Sequence, residues 1–254
     1  PVNAIQENPR KIGLVKRGIS GSIPIHYGLL ETGEGGMTPR VIKKVKENIQ
    51  EGYNILDAPP GTSCPVVETV KNSDLTVLVT DPTPFGINDL KLSVEMCRKI
   101  GQEPVIVINR ADDDKETLEA YCKRENLSII GEIPDDRRIA ERYSEGELVY
   151  HDFPEYREVF LEIARKIITL ASHSSQKIAS LFNHDYTDRG IEIPDCQITQ
   201  RDNRDTKEIV IISGKGGTGK TSLTASFCAI EKELFIADCD VDAADLHLIT
   251  NPGI

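Results

Sequence analysis

Residues 214–221 read GKGGTGKT, between an apolar run, KEIVIIS at 207–213, and a helix-like stretch, SLTASFCAIEKE at 222–233. The spacing G-x-x-x-x-G-K-[ST] between a strand and a helix suits a loop that wraps phosphate oxygens. Gly214, Gly216, Gly217 and Gly219 give the backbone angles that turn consecutive N–H groups inward. The N-terminus of the following helix adds partial positive charge. In such a loop Lys220 reaches the β- and γ-phosphates and the Thr221 hydroxyl ligates Mg2+, with Thr218 and Ser222 completing the cradle. The chemistry implied is binding of ATP with Mg2+, and its hydrolysis.

A second lysine, Lys215, follows the first glycine and makes the segment KGGTGKT. Here the sequence resembles the deviant Walker A ATPases, the MinD, ParA and Mrp proteins, with the nitrogenase iron protein as a relative. The resemblance implies an ATP-dependent dimer in which Lys215 reaches the partner's nucleotide and acts in catalysis with Lys220. It also implies roles for carboxylates. The run DCDVDAADLH at 238–247 holds a D-x-D whose second member, Asp240, orients a water, attacking or bound to Mg2+. Asp238 orients the loop, while Asp242 and Asp245 read as solvated helix caps. The run YNILDAPPGTSCP at 53–65 resembles the family's Walker B strand and second switch. Asp57 then holds Mg2+ through a water, and the Gly61 region senses the γ-phosphate. The metal set is Thr221, Asp240 and Asp57. VIVINR at 105–110 and GEIPD at 131–135 resemble the segments that flank the base, so Asn109 and Pro134 join the nucleotide site.

These residues need rigid elements to hold them. Unbroken apolar runs predict strands at 12–15, 53–57, 75–80, 105–109, 128–131, 208–213 and 234–238, the pattern of strands buried on both faces of a parallel sheet. Helices are predicted at 39–50, 87–100, 115–125, 136–143, 155–171, 219–231 and 243–249. Their alternation means an α/β fold, a three-layer nucleotide-hydrolase sheet, mostly parallel, with helices on both faces.

Composition narrows the function further. The net charge of -11 repels a phosphate backbone, so nucleic acid is not an expected partner. No run approaches the roughly 18 apolar residues that span a bilayer. The 155–171 stretch is amphipathic, and a core helix is preferred to a membrane-binding one. The cysteines are Cys64, Cys97, Cys122, Cys196, Cys228 and Cys239, with no CxxC among them. That disfavours a cluster bound by this chain alone and suits reduced thiols in the cytoplasm.

The order of the motifs is unusual. In the family the phosphate loop opens the domain, but here Asp57 precedes Lys220. Residues 1–172 read as the C-terminal half of a MinD-like ATPase, 173–205 as a linker with a short helix at 176–182, and 206–254 as an N-terminal half. The halves are expected to pack as one domain, with strand 53–57 beside strand 208–213. PVNAI at 1–5 resembles the end of a ferredoxin motif. A truncated tandem, cut where a MinD-like subfamily carries a [4Fe-4S] insertion, is favoured over a circular permutant. A [4Fe-4S] cofactor is expected only if that insertion exists in a longer protein. The partner is a second copy or a second MinD-like ATPase. Alternatives are an iron–sulfur cluster carrier or redox ATPase, a non-hydrolysing membrane or scaffold module, and an amidoligase.

Overall fold

The computed structural model describes residues 9–111, 115–149, 152–181, 206–229 and 234–251. Strands are β1 (Gly13–Ser20), β2 (Ile23–Leu30), β3 (Gly52–Asp57), β4 (Leu75–Thr80), β5 (Val105–Ala111), β6 (Ile129–Pro134), β7 (Thr206–Ser213) and β8 (Leu234–Asp238). Helices are α1 (Thr38–Lys46), α2 (Cys64–Val70), α3 (Pro84–Lys99), α4 (Glu116–Arg124), α5 (Arg137–Ser144), α6 (Pro154–Leu181), α7 (Lys220–Ser226) and α8 (Leu246–Thr250). The strands form one eight-stranded sheet in the order β1-β2-β8-β3-β7-β4-β5-β6. β1 and β2 pair antiparallel, and each further pairing is parallel.

The apolar runs explain the layering. Successive residues of a strand face opposite sides, so β7 sends Ile209 and Ile211 into one core and Val210 and Ile212 into the other. β3 divides Ile55 from Leu56 in the same way, and β4 divides Val77 and Val79 from Leu78. One core is closed by Phe160, Ile163 and Ile167 of α6 with Leu223 of α7. The other is closed by Val41, Ile42 and Val45 of α1, Val66 of α2, Leu90 and Val94 of α3 and Leu118 of α4. The result is the three-layer α/β fold expected, suited to a phosphate-loop nucleotide site. The amphipathic 155–171 stretch is the core helix α6. Among the described residues no helix is long and apolar enough to cross a membrane.

The strand expected at 12–15 runs on to Ser20, the helix expected at 219–231 is, among the described residues, α-helical only over Lys220–Ser226, and the one expected at 243–249 begins at Leu246; three further elements differ more. β2 was not expected, because Pro24 and Gly28 interrupt its apolar run. Pro24 is tolerated as the second residue of a strand near the sheet edge. Gly28 is required, since a Cβ there would lie 2.4 Å from Val241 Cγ1. α2 is not among the expected helices, its Val-Val-Glu-Thr-Val being poor in helix formers. Pro65 in its first turn starts it. Finally α6 runs on to Leu181, so the short helix expected at 176–182 is, as far as Leu181, the end of one helix continuous with 155–171 and not a separate element of a linker. The rest of that linker, Cys196 and residues 1–5 lie outside the described residues.

One buried ion pair fastens the site's surroundings. Lys46, at the end of α1, meets Glu208 of β7 at 2.5 Å, with side chains 9% and 2% exposed. Its ammonium also donates to the carbonyls of Thr69 at 2.7 Å and Lys71 at 2.9 Å, covering the C-terminal end of α2. Removing one member of a buried pair leaves an uncompensated charge. Lys46→Ala should therefore lower unfolding free energy by about 3–5 kcal/mol, read from the urea midpoint. A midpoint like that of wild type would show the pair to be dispensable.

Candidate functional site

The site lies at the C-terminal ends of β7, β3 and β8. β7 ends at Ser213 and α7 begins at Lys220. Between them Gly217 and Gly219 take φ of 77° and 86°, open to glycine at little cost. The loop is wedged on two sides. A Cβ on Gly219 would fall 2.3 Å from Asn109 Nδ2, and one on Gly214 would fall 2.5 Å from Asp89 Cβ of α3. Asn109 Nδ2 donates to the Thr218 carbonyl at 2.8 Å. Ser213 Oγ donates to the Lys215 carbonyl at 2.8 Å. Gly216 is exposed and open. These contacts fix the loop before any ligand arrives.

β3 runs beside β7, Asp57 opposite Ile211, and beside β8, Asp57 opposite Asp238. The chain leaving β3 follows the loop strand, because Ala58 N–H donates to Ile211 O at 3.0 Å and Gly61 N–H to Ser213 O at 2.8 Å. Lys220 Nζ then donates to Asp57 Oδ1 at 2.7 Å, across 163 residues of sequence. Both side chains are buried, 8% and 0% exposed. Burial opposes the Lys220 charge, but the Asp57 carboxylate outweighs it and holds the ammonium above its ordinary value. Burial pushes the Asp57 carboxyl up, and Lys220 and Thr221 pull it partly back.

The D-x-D segment divides its labour. Asp238, fully buried, accepts the Asp240 N–H at 2.9 Å and the Leu246 N–H at 3.1 Å. It shapes the turn into α8, as its position at the strand end suggested. Burial and the nearby Asp57 charge push its carboxyl well up. Asp240 is half-buried; burial pushes it up to about 6, Lys220 pulls it down, and Asp57, Asp245 and Asp242 push it up.

Asp245 corrects the sequence reading. It precedes α8 but makes no cap hydrogen bond. Its Oδ1 accepts the Thr221 hydroxyl at 3.3 Å, and its Oδ2 accepts the Tyr143 hydroxyl at 2.8 Å. Tyr143 had no signal as a site residue; α5 carries it from the far side of the sheet's sequence. Ser222 faces a small cavity with Tyr143, Ile139 and Phe160. Pro134 ends β6, paired with Ala111 of β5.

Lys215 pairs within the chain. Its Nζ lies 2.9 Å from Asp81 Oδ2 and 3.4 Å from Thr83 Oγ1, with the side chain 34% exposed. Burial disfavours the Asp81 charge, yet hydrogen bonds from Thr83 and Lys215 prevail and hold its carboxyl below the usual range. Asp81 and Asp89, which hold the loop from the β4–α3 side, were likewise missed by sequence reasoning.

Two buried polar atoms of the site lack a partner, Asp57 Oδ2 and Thr218 Oγ1. Both fit a ligand carrying phosphate and a cation. Among the described residues no three His, Cys, Asp or Glu are grouped to hold a metal ion. Mg2+ does not need such a group, since it is held by one or two carboxylates, waters and substrate phosphates. The described cysteines are free thiols; Cys97, Cys122 and Cys239 are buried and Cys64 is exposed.

Comparison with known proteins agrees with this geometry in outline. The chain is 38% identical over 117 residues to an uncharacterized protein of Methanocaldococcus jannaschii, covering 45% of the chain and 39% of that protein. It is 28% identical over 146 residues to the iron-sulfur cluster carrier protein of Aquifex aeolicus, covering 52% of the chain and 39% of that protein. It is 25% identical over 136 residues to an uncharacterized ATP-binding protein of M. jannaschii, covering 50% and 53%. The chain thus spans about two fifths to half the length of these relatives. No family model matches.

The raised carboxyl of Asp240 has a pH signature. A group with a folded pKa above its unfolded value favours folding fully below the unfolded pKa, and that contribution is lost as pH rises through the folded one. For Asp240 the window runs from its ordinary value of 3.8 to about 6. Ligand-free wild type should therefore lose stability relative to Asp240→Asn as pH rises across that window, with no further divergence above it. Urea unfolding of both proteins at four pH values measures this. Parallel stability curves would show that Asp240 is not desolvated.

Proposed function

We propose that this chain binds ATP with Mg2+ at the 214–221 loop and hydrolyses it, as a MinD/Mrp-type ATPase whose nucleotide state controls pairing with a second such unit. The observation that carries this reading is the buried Lys220–Asp57 pair at 2.7 Å beneath a pre-shaped glycine loop. A bound triphosphate would offer Lys220 a second anionic partner at its β- and γ-oxygens. Asp57 would then be released toward the waters of a cation, using the Oδ2 that now lacks a partner. Mg2+, when bound, would neutralise charge developing between the β- and γ-phosphates. Thr221, Asp57 and Asp240 are the residues suited to hold it.

Turnover would need a positioned water. Asp240, half-buried with its carboxyl pushed up to about 6, is suited to orient it, directly or through the cation. Phosphoryl transfer demands positioning and charge more than covalent chemistry, and the rigid loop supplies both. Lys215 would leave Asp81 to meet the nucleotide of a second unit. Asn109 and Pro134 flank the side on which a base would lie. The relative named as an ATP-binding protein supports the nucleotide reading.

A second reading follows from the relatives named iron-sulfur cluster carriers. The ATPase would then serve cluster transfer, with cluster ligands supplied outside the described residues. Anaerobic reconstitution with iron and sulfide tests it: a visible cluster absorption band on this chain would favour it over the plain switch.

Calorimetric titration with ATP and MgCl2 tests the main reading. Wild type should bind, and Gly219→Ala, whose new Cβ meets Asn109, should bind at least 100-fold more weakly while staying folded by circular dichroism. Lys215→Ala should keep ATP affinity within about threefold but abolish any ATP-dependent increase in mass by light scattering. Wild type that binds no ATP would overturn the proposal.

A further inference from the structure

Asp245 and Tyr143, which meet the Thr221 hydroxyl directly and in turn, have no place in the reading above. These contacts join three separate elements. Thr221 is in the first turn of α7, Asp245 precedes α8, and Tyr143 is near the end of α5. Asp245 is placed between the other two, one carboxylate oxygen on each hydroxyl.

Asp245 Oδ1 gives the Thr221 hydroxyl an acceptor at 3.3 Å. A threonine hydroxyl has one proton and two lone pairs. If it is to ligate a cation, a lone pair must face the metal and the proton must point elsewhere. The Asp245 carboxylate takes that proton, being an acceptor with no proton to give. A neutral donor in its place would turn the hydroxyl the wrong way. The contact is long, 3.3 Å, and the Asp57 carboxyl also draws on the same hydroxyl, so Asp245 biases the Thr221 rotor away from Asp57.

Tyr143 fixes the carboxylate in turn. Its hydroxyl donates to Asp245 Oδ2 at 2.8 Å. α5 has no buried residue of its own. Its position comes instead from a polar anchor at its start. Asp136 accepts the Arg138 N–H at 2.8 Å, and the Arg138 guanidinium lies over the rings of Phe153 and Tyr156. At its other end Gly146 approaches the Leu248 carbonyl of α8, a Cβ there falling 3.5 Å from it. α5 is thus a surface helix whose contact with the site includes one hydroxyl.

We propose that Asp245, held by Tyr143, is a positioning residue that turns the Thr221 hydroxyl so that its lone pair faces the divalent cation accompanying a bound nucleoside triphosphate. The inference rests on the ATP-binding reading. Outer partners that orient a metal ligand typically change metal affinity 10–100-fold when removed. The same logic gives the order of effects here. Loss of the carboxylate frees the hydroxyl rotor, loss of the tyrosine hydroxyl only loosens the carboxylate, and an amide keeps one acceptor oxygen.

The test is binding, not turnover. ATP affinity of the full chain is measured by calorimetry in EDTA and at increasing MgCl2, giving the Mg2+ concentration for half-maximal tightening. Asp245→Ala should raise that concentration at least tenfold and leave the affinity in EDTA within about twofold. Tyr143→Phe should raise it by a smaller factor, and Asp245→Asn should stay within about threefold of wild type. Tyr143→Phe removes one oxygen from a helix with no buried side chains, so it serves if Asp245→Ala fails to fold. Unchanged Mg2+ dependence in both Asp245→Ala and Tyr143→Phe would overturn the inference while leaving ATP binding intact. An equal loss in EDTA and in Mg2+ would also overturn it, by showing a merely structural role. Wild type that binds no ATP would overturn the functional reading itself, and this inference with it.

Discussion

The ion pair between Lys220 and Asp57 is the contact on which the site depends. Two charges lie out of water at 2.7 Å, on side chains 8% and 0% exposed. Desolvating them costs several kcal/mol each, and their attraction repays this only when the geometry is good. The sheet supplies that geometry. β3 and β7 are adjacent and parallel, with Asp57 at the end of one and the loop at the end of the other. The loop strand is further bonded to the chain leaving β3 through Ala58 and Gly61. Residues 163 positions apart therefore form one site because the sheet closes between them. Lys46 and Glu208 repeat the arrangement behind the sheet, tying α1 and the end of α2 to the same strand.

Around that single ammonium stand more carboxylates than it can neutralise. Asp57, Asp238 and Asp240 act on it, with Asp245 beside Asp57 and Asp240, and the first three all have carboxyls pushed up by burial. Asp238 is relieved by two backbone N–H groups. Asp245 is relieved by two hydroxyls. Asp57 and Asp240 keep the strain. An excess of negative charge at the mouth of a phosphate loop disfavours a bare triphosphate and favours one that arrives with a cation. On the proposed reading a cation would act twice, neutralising the phosphates and satisfying the protein's own carboxylates.

Much of the sheet was legible because buried parallel strands are written as unbroken apolar runs. β4 and β8 fall within the limits read from the sequence, and both are buried along their whole length. The failures share a physical cause. β2 contains Pro24 and Gly28, residues that argue against a strand unless one knows that the proline precedes the Ile25–Tyr27 pairing with β8 and that Val241 excludes any side chain at the glycine. α2 is rich in β-branched residues and is helical through packing of Val66 and Val70 against the second core. Propensity is a weak prior where tertiary contacts decide.

The site itself was legible where it is local and silent where it is not. The glycine loop, Lys220 and Thr221 form one contiguous motif. Asp57 was assigned because the contiguous run around it, DAPPGTSCP, resembles a family's second switch; a strand ending in Asp alone would be weak evidence. Tyr143 and Asp81 are lone residues in sequence, and they matter through partners 102 and 134 residues away, in Asp245 and in the lysine of the loop. The Lys215–Asp81 contact carries a constraint that no motif states. The lysine that marks the loop is already spent on a carboxylate buried to 3% exposure. Any phosphate that recruits Lys215 must outbid that pair, and Asp81 would be left with Thr83 as donor. Because Asp81 already has those two bonds from Thr83, the exchange costs less than exposing a bare buried charge would. The same loop can therefore be firmly held without a ligand and still release its lysine to one.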